Sequence, residues 1–253
     1  MKKLKEKLKA GSTVYGTWCM MPCAVSMEAI ASTGIDFVII DMEHGAMPFE
    51  RAEEMVKAAE LKGCHPIIRV DDDKEKTILH ALEVGAEAVL VPHVSTTETA
   101  QKVAAATKYF PEGNRGLSPY TRNHGYSHIK LEESLQDANR KVVTGILVEG
   151  KNGLDNLDKI VKVPGIDIIY LGVYDICQSL GIPGQLDNHD FIKAMKDCVN
   201  IIKESGIAAG SFARDMKTVK IFKETGVQFI AYMCDAASLV EYYKVYLKKL
   251  REA

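Results

Sequence analysis

The sequence lacks the long apolar runs, the strong net charge and the paired cysteines that would assign it to several classes of protein. Its 253 residues carry 32 lysines and arginines against 34 aspartates and glutamates, so the formal net charge is -2. Charges of both signs are spread along the chain, which leaves no basic stripe for nucleic acid. No apolar run approaches the length of a membrane span, and the lysine-rich start has no signal-peptide core. We therefore expect a cytoplasmic protein whose partners are small molecules, with neither nucleic acid nor a membrane among them.

Several catalytic motifs are absent as well. The six cysteines show neither CxxC pairing nor the dense spacing of a disulfide scaffold, so we interpret them mostly as small apolar side chains. The chain has no GxGxxG turn for a dinucleotide and no GxSxG elbow of a serine hydrolase. None of the predicted strands carries an interior lysine, which argues against a Schiff-base aldolase. The turns SFARD and YMCDAAS lack the glycine-rich phosphate cradle of many sugar-phosphate barrels.

The chain does contain a regular alternation of short apolar runs and amphipathic segments. Continuous apolar runs are typical of strands buried on both faces, and they predict eight strands at 14–18, 37–41, 66–70, 88–91, 143–149, 167–171, 208–212 and 228–232. Helical periodicity predicts helices at 49–61, 74–82, 97–108, 154–161, 190–204, 216–224 and 235–250. Eight such units predict a (β/α)8 TIM barrel that forms a single domain over residues 1–253. A doubly wound sheet is the rival, but it usually has fewer strands and a glycine-rich first turn.

One connection is unusually long for a compact barrel. Residues 109–130, which include PEGNRGLSPYTRNHGYSH, separate the helix predicted at 97–108 from the next helical segment. Loops of this length inside a domain tend to be functional or mobile. We expect this segment to border the active site or to contact another subunit.

The segment FVIIDMEH is the most informative part of the chain. An apolar strand ends there in Asp41, Glu43 and His44. Barrel enzymes carry their chemistry at the carboxyl ends of the strands, so these three side chains are delivered to the functional face. They could begin a metal site or an acid/base centre, because a carboxylate orients a histidine ring and raises its basicity.

Other predicted strands end in isolated polar residues that face the same mouth. The full set of strand-end side chains is Trp18, Asp41, Glu43, His44, Arg69, His93, Glu149, Asp175 and Arg214. Glu149 and Asp175 each offer one hard oxygen ligand suited to Mg²⁺ or Mn²⁺, although both could equally cap local turns. Arg69 follows a fully apolar strand, and there a guanidinium favours an anionic ligand over a buried ion pair.

Taken together, these segments resemble one known family, the HpcH/HpaI aldolases, which are metal-dependent class II pyruvate aldolases. The resemblance covers nearly the whole chain. It rests on GTWC, DMEHG, PIIRV, LEVGAEAVLVP, YFPEGNRG, LVEG and YLGVYDICQSLG, in that order. Family members act on 4-hydroxy-2-oxoheptane-1,7-dioate, 2-dehydro-3-deoxyglucarate and related 2-oxo acids of aromatic or sugar acid catabolism. The resemblance implies a barrel in a homo-oligomer, commonly a hexamer built as a trimer of dimers, whose C-terminal helix packs on a neighbouring subunit.

The resemblance also implies roles for individual residues. By position, Glu149 and Asp175 correspond to the ligands of a divalent cation such as Mg²⁺, Mn²⁺ or Co²⁺. Arg69 corresponds to the pyruvate-binding arginine and His44 to the catalytic base. The acid paired with that base falls at Glu83, where the family usually has aspartate.

Four further positions complete the implied site. Leu147 and Tyr174 line the substrate-binding region together with Arg69, and Asp41 and Glu43 support the catalytic side chains. The implied reaction cleaves a 4-hydroxy-2-oxo acid to pyruvate and an aldehyde through an enolate stabilised by the metal.

Three departures from the family pattern keep other functions open. Leu147 replaces a glutamine, Val173 replaces a proline, and Met233 replaces a glycine. One alternative is a decarboxylase of the oxaloacetate type that uses the same site. The other is a catalytically weak protein that only binds 2-oxo acids.

Overall fold

A computed structural model describes residues 3–253, and its eight strands form a closed parallel barrel in the order β1 to β8. The strands are β1 (Val14–Cys19), β2 (Phe37–Asp41), β3 (His65–Arg69), β4 (Ala88–Val91), β5 (Val143–Val148), β6 (Ile168–Leu171), β7 (Ala208–Ala213) and β8 (Phe229–Cys234). Each strand pairs in parallel with its neighbours in sequence, and β8 closes on β1. The predicted TIM barrel is therefore confirmed.

Helices connect successive strands around the outside of the barrel. They are α1 (Leu4–Lys9), α2 (Ala24–Ala31), α3 (Phe49–Leu61), α4 (Glu75–Glu83), α5 (Thr97–Thr107), α6 (Leu131–Lys141), α7 (Gly150–Asp155), α8 (Leu157–Ile160), α9 (Val173–Ser179), α10 (His189–Glu204), α11 (Met216–Thr225) and α12 (Asp235–Glu252). A short 3-10 helix (Arg122–His124) lies within the long connection 109–130. None of the helices in the described residues has the length and apolar content needed to cross a membrane.

The strands are apolar throughout because both of their faces are buried. One set of side chains, including Ile39, Ile67 and Leu90, fills the barrel interior. The alternate set, including Ile40, Ile68 and Val89, packs under the surrounding helices. Since side chains alternate along a strand, the last inward position of each strand faces the carboxyl-end mouth of the barrel.

Aromatic rings fill the interior near the start of the strands. The rings of Phe37 and Phe229 stack with their centroids 3.8 Å apart. Gly16 on β1 makes room for them, since a Cβ atom at this position would lie 2.2 Å from the Phe37 ring. The glycine is therefore required by packing.

The amino end of the barrel is closed by α1. Leu4 and Leu8 are buried against the interior cluster. Two lysines of α1 pair with loop carboxylates, Lys5 with Asp167 at 2.9 Å and Lys7 with Asp36 at 2.7 Å. This end of the barrel is thereby sealed.

A histidine and a glutamate form a buried pair beside α1. Nδ1 of His65 lies 2.6 Å from Oε2 of Glu87, and Oε1 of Glu87 accepts a hydrogen bond from the Leu4 backbone at 3.2 Å. Burial opposes ionisation of Glu87, but the hydrogen bond and charge of His65 lower its pKa overall. The carboxylate is therefore well satisfied.

Several helices differ from the sequence prediction. The prediction contained no helix at α1, α2 or α9 or over most of α7, because helices of eight residues or fewer show too little of the helical period. The helix predicted at 154–161 is interrupted at Asn156, whose side chain donates a hydrogen bond to the Ser95 carbonyl at 3.0 Å. The strand boundaries agree with the prediction to within two residues.

The last helix, α12, extends away from the barrel that precedes it. Asp235 is its only buried residue, and eight large apolar side chains are exposed along it: Leu239, Val240, Tyr242, Tyr243, Val245, Tyr246, Leu247 and Leu250. A mostly apolar cavity of about 520 Å³ lies between the base of α12, α2 and the outer side of β1, lined in part by Gly16, Ile30 and Tyr232. Both an apolar helix and an apolar recess are therefore left uncovered on one chain.

Candidate active site

A cavity of about 360 Å³ opens at the carboxyl end of the barrel. It is lined by Trp18, Met20, Asp41, His44, Arg69, Leu147, Glu149, Tyr170, Gly172, Val173, Tyr174, Asp175, Phe212 and Cys234. This set includes six of the nine side chains that the sequence placed at strand ends. The cavity is therefore where the predicted functional residues meet.

Arg69 is fixed at the floor of the cavity by two carboxylates. Asp41 and Arg69 are partners in the β2–β3 register, and Nε of Arg69 donates to Oδ1 of Asp41 at 2.9 Å while Nη2 donates to Oδ2. Nη1 lies 2.9 Å from Oε2 of Glu43. This bidentate geometry holds the guanidinium plane in one orientation, which a lysine could not reproduce.

An aromatic pair supports one face of the guanidinium, whose edges are held by the two carboxylates. The Cζ atom of Arg69 lies 4.4 Å from the centroid of the Trp18 ring. The indole N–H of Trp18 donates to the Tyr170 hydroxyl at 3.1 Å, and burial of that hydroxyl raises the Tyr170 pKa. Tyr170 therefore stays neutral and holds the indole in place beneath Arg69.

Glu149 and Asp175 face each other across Gly172. A Cβ atom on Gly172 would lie 3.3 Å from Oδ2 of Asp175 and 3.4 Å from Oε2 of Glu149. Any other residue would fill the space between the two carboxylates. The glycine therefore leaves room for a small ligand between the two oxygens.

Among residues 3–253, the negative charge around Glu149 is not fully balanced by nearby positive groups. Burial raises the pKa of the Glu149 carboxyl, and the nearby carboxylates Asp175 and Glu43 raise it further, although His93 acts in the opposite direction. A cation placed here would remove this repulsion. Two oxygen donors in a negatively charged site fit Mg²⁺ or Mn²⁺, which keep several ligand positions for water and substrate.

Within the part of the chain that the structure describes, the carboxylates placed for such an ion are those of Glu149 and Asp175. No group of three or more histidine, cysteine, aspartate or glutamate side chains within residues 3–253 has the arrangement of a metal centre. The remaining ligands would have to come from substrate and water, as the sequence predicted for Glu149 and Asp175.

His93 is a site residue to which the sequence assigned no role. It follows β4 in a left-handed conformation, with φ of 57°, and its backbone N–H donates to Oε1 of Glu149 at 3.0 Å. Its ring lies between two carboxylates, with Nδ1 2.7 Å from Oε1 of Glu149 and Nε2 2.9 Å from Oε1 of Glu43. The histidine engages one oxygen of Glu149 and leaves Oε2 facing Asp175.

His44 and Glu83 lie in different parts of the chain's structure. The exposed side chain of His44 lines the cavity, and its ring makes no hydrogen bond to any residue of the described chain. Glu83 ends α4, and a helix that follows a barrel strand runs back toward the amino end. There Glu83 accepts a hydrogen bond from Arg115 at 3.0 Å and from the Tyr109 hydroxyl at 3.5 Å. The chain does not bring Glu83 to His44.

The contacts of Glu83 also show where the long connection 109–130 lies. Arg115 and Tyr109 belong to residues 109–130, and no residue of this segment lines the carboxyl-end cavity. The segment therefore does not border the site of its own chain. Contact with another subunit stays a prediction.

The three departures from the family pattern all lie at or near the cavity. Leu147 is buried in its floor, and Val173 lies in its wall beside the half-exposed Tyr174. Met233 has a left-handed backbone, with φ of 54°, at an irregularity in the β8–β1 register. Its carbonyl accepts a hydrogen bond from the Thr17 hydroxyl at 3.3 Å. Glycine adopts this conformation without strain, which explains why methionine is unusual there.

The comparisons with known proteins agree with this site. The family model described as HpcH/HpaI aldolase/citrate lyase matches residues 15–241, and the chain belongs to this family. This confirms the resemblance drawn from the sequence motifs. The description of the family names aldolases and citrate lyases, and both are lyases.

Individual relatives extend over almost the whole chain. It is 32% identical to a hydroxypyruvate/pyruvate aldolase of Roseobacter denitrificans, over 93% of this chain and 92% of that protein. It is 30% identical to a 2-keto-3-deoxy-L-rhamnonate aldolase of Salmonella gallinarum, over 94% of this chain and 88% of the relative. The crystal structure of an HpcH/HpaI aldolase/citrate lyase family protein from Burkholderia cenocepacia superposes with a TM-score of 0.91 at 27% identity, covering 98% of each chain.

Proposed function

We propose that this protein is a divalent-metal-dependent aldolase that cleaves a 4-hydroxy-2-oxo acid to pyruvate and an aldehyde. The observation that carries the proposal is the arrangement of Arg69 opposite Glu149 and Asp175 in one cavity of a family member. A 2-oxo acid has the two adjacent oxygen groups that such an arrangement binds.

In the proposed mechanism, each side chain has a distinct task. Glu149 and Asp175 would hold Mg²⁺, Mn²⁺ or Co²⁺, which when bound supplies Lewis acid catalysis at the keto group. Arg69, held by Asp41 and Glu43, stabilises the negative charge that develops on the enolate oxygen. The exposed His44 accepts the proton of the C4 hydroxyl as the C3–C4 bond breaks, which releases the aldehyde, and C3 of the resulting enolate then gains a proton to give pyruvate.

The test is exchange of the pyruvate methyl protons in D₂O, followed by NMR with each of the three metals. An enolate-forming site exchanges these protons without any aldehyde. The expected result is exchange well above the metal-only blank, lost in Arg69→Ala. Exchange that never exceeds the blank would show that the site does not form an enolate.

A decarboxylase of the oxaloacetate type remains the second candidate, because it would use the same enolate. Turnover of oxaloacetate without cleavage of any 4-hydroxy-2-oxo acid would favour it. The third candidate, a weak 2-oxo acid binding protein, is supported by the apolar Leu147 in the cavity floor. Its signature would be metal-dependent pyruvate binding without proton exchange.

We also propose that the protein is a homo-oligomer in which α12 of one copy occupies the recess beside β1 of another. The exposed apolar face of α12 and the uncovered apolar cavity of about 520 Å³ are complementary in character. The segment 109–130 adds more exposed apolar side chains, including Phe110, Tyr120 and Ile129. A hexamer is the form that the family resemblance implies.

Sedimentation velocity tests this assembly. Wild type is expected to sediment as an oligomer, while Tyr243→Asp, which places a charge on the exposed apolar face, is expected to dissociate toward smaller species. Lys244→Asp is a control on the same helix. A monomeric wild type at micromolar concentration would contradict the proposal.

A further inference from the structure

The cavity at the carboxyl end is divided into a charged half and an apolar half. β2, β3 and β5 deliver Asp41, Arg69 and Glu149, and α9 adds Asp175 at the border. On the opposite side, β7 and β8 deliver Phe212 and Cys234, and Met20 follows β1. The proposed aldolase function assigns the charged half to the 2-oxo acid. The apolar half is then the surface against which the aldehyde lies.

The charge of the site disfavours a second anionic group. Arg69 is the only lysine or arginine among the described residues that line the cavity, and it is already paired with Asp41 and Glu43. With the divalent cation held by Glu149 and Asp175 and the 2-oxo acid bound to that cation and to Arg69, a carboxylate or phosphate on the aldehyde would meet the negative charge of the 2-oxo acid, Asp41 and Glu43 without a free cation of its own. Like charges placed close together in a partly buried site repel strongly.

The apolar half is a formed surface within the chain. The buried carboxylate of Asp235 accepts hydrogen bonds from the backbone N–H groups of Met20 at 3.0 Å and Met21 at 3.1 Å. The rings of Tyr174 and Phe212 lie with their centroids 6.2 Å apart. The wall formed by Met20, Tyr174, Phe212 and Cys234 is therefore held in place and offers an apolar group a contact surface.

We infer that the aldehyde partner is uncharged and carries an aliphatic or aromatic group. This inference rests on the proposed aldolase function. In the addition direction, the pyruvate methyl group loses a proton, C3 forms a bond to the aldehyde carbonyl carbon, and the carbonyl oxygen gains a proton. The product is a 4-hydroxy-2-oxo acid, and no oxidant or reductant is needed.

The decisive experiment compares two aldehydes of equal chain length on the wild-type protein. Butanal and succinic semialdehyde differ only in the terminal methyl or carboxylate group. With pyruvate and Mg²⁺, kcat/KM for butanal is expected to exceed that for succinic semialdehyde by at least about tenfold. Benzaldehyde is expected to be accepted as well. Equal values, or a preference for succinic semialdehyde, would overturn the inference.

A charge-adding variant sharpens the result. Met20→Lys places a cation on the apolar wall and is expected to shift the preference toward succinic semialdehyde by about tenfold. Met216→Lys is the matched control, because Met216 lies outside the cavity and is 68% exposed. An unchanged preference in a folded Met20→Lys protein would count against the assignment of the apolar half.

Pyruvate methyl exchange in D₂O separates the two possible failures. Exchange together with a preference for the carboxylated aldehyde would overturn the aldehyde assignment and leave the aldolase function in place. Failure of exchange in the wild type would overturn both. The wild-type comparison does not depend on whether either lysine variant folds.

Discussion

The two ends of the barrel each contain a histidine paired with a glutamate, yet the two pairs behave in opposite ways. At the amino end, Nδ1 of His65 lies 2.6 Å from Glu87, and at the carboxyl end, Nδ1 of His93 lies 2.7 Å from Glu149. The pKa of Glu87 is lowered, whereas that of Glu149 is raised. Pairing with a histidine therefore does not by itself determine whether the carboxyl pKa is raised or lowered.

The difference lies in what surrounds each pair. Glu87 also accepts the Leu4 N–H and lies near Lys3, so its negative charge is compensated. Glu149 lies near Asp175 and Glu43, so negative charge accumulates there. His65 is almost fully buried, while the His93 side chain is 71% exposed. The His65–Glu87 pair at the amino end therefore stabilises the fold. At the carboxyl end, the excess negative charge around Glu149 can be neutralised by a ligand.

Glutamate-to-glutamine substitution in each pair tests this comparison, and the larger effect is expected at Glu149. Glu149→Gln is expected to abolish metal binding and to slow pyruvate methyl exchange by about 100-fold or more, because the Lewis acid supplies several kcal/mol. Calorimetric titration with Mn²⁺ and NMR in D₂O provide the two measurements. Without metal, we expect the variant to unfold at a temperature at least as high as wild type, since crowded negative charge is removed. Retained metal affinity would contradict the assignment of Glu149.

The next effect concerns the orientation of Arg69. Asp41→Asn removes the charge that holds the guanidinium but keeps the shape of the side chain. We expect exchange to slow by about 10- to 100-fold, because a displaced guanidinium no longer meets the enolate oxygen. Metal affinity is expected to stay near the wild-type value, since Asp41 contacts neither Glu149 nor Asp175. A large loss of metal binding would contradict this expectation and would show that Asp41 also positions Glu149 or Asp175.

A smaller effect is expected from His93→Ala. Loss of the ring frees Oε1 of Glu149 from Nδ1, while the backbone hydrogen bond from residue 93 is retained. The dissociation constant for Mn²⁺ is expected to rise by about tenfold, as is typical when a side chain that orients a metal ligand is removed. His128→Ala, on an exposed part of 109–130, serves as a control. Unchanged affinity would show that the His93 ring does not position Glu149.

The smallest effect on the site is expected from the substitution at the amino end. Glu87→Gln should leave metal binding and exchange unchanged but destabilise the fold at neutral pH by about 1.5–3 kcal/mol, because a charged hydrogen bond is weakened. The folded-state pKa of Glu87 is lowered, so its contribution is present above the ordinary value of 4.5 and is lost as pH falls through the lowered pKa. Thermal unfolding should therefore show a gap between variant and wild type that closes in acid. A gap that widens in acid would be the opposite of this expectation.

The barrel and the charged half of the site followed from sequence because both depend on local patterns. Apolar runs marked the strands, and the polar residue at the end of each run marked its carboxyl end. Asp41, Arg69 and Glu149 were predicted in this way to share one site, and all three line the cavity. Motif position alone could not show where Glu83 lies, because its place depends on how far α4 runs back along the barrel. The network through His93 and the wall formed by Met20 and Phe212 depend on three-dimensional neighbours. No single stretch of sequence contains them.

Gly16 has a consequence for how the family motif itself is understood. It opens GTWC, one of the segments on which the resemblance to the aldolases rests, yet a Cβ atom at this position would meet the Phe37 ring, which stacks on Phe229. Substitution is blocked there by steric exclusion inside the barrel and has no connection with substrate. The four residues of the motif are therefore constrained for two different reasons. Gly16 is required by the space inside the barrel, and Trp18 is required by its contact with the Arg69 guanidinium.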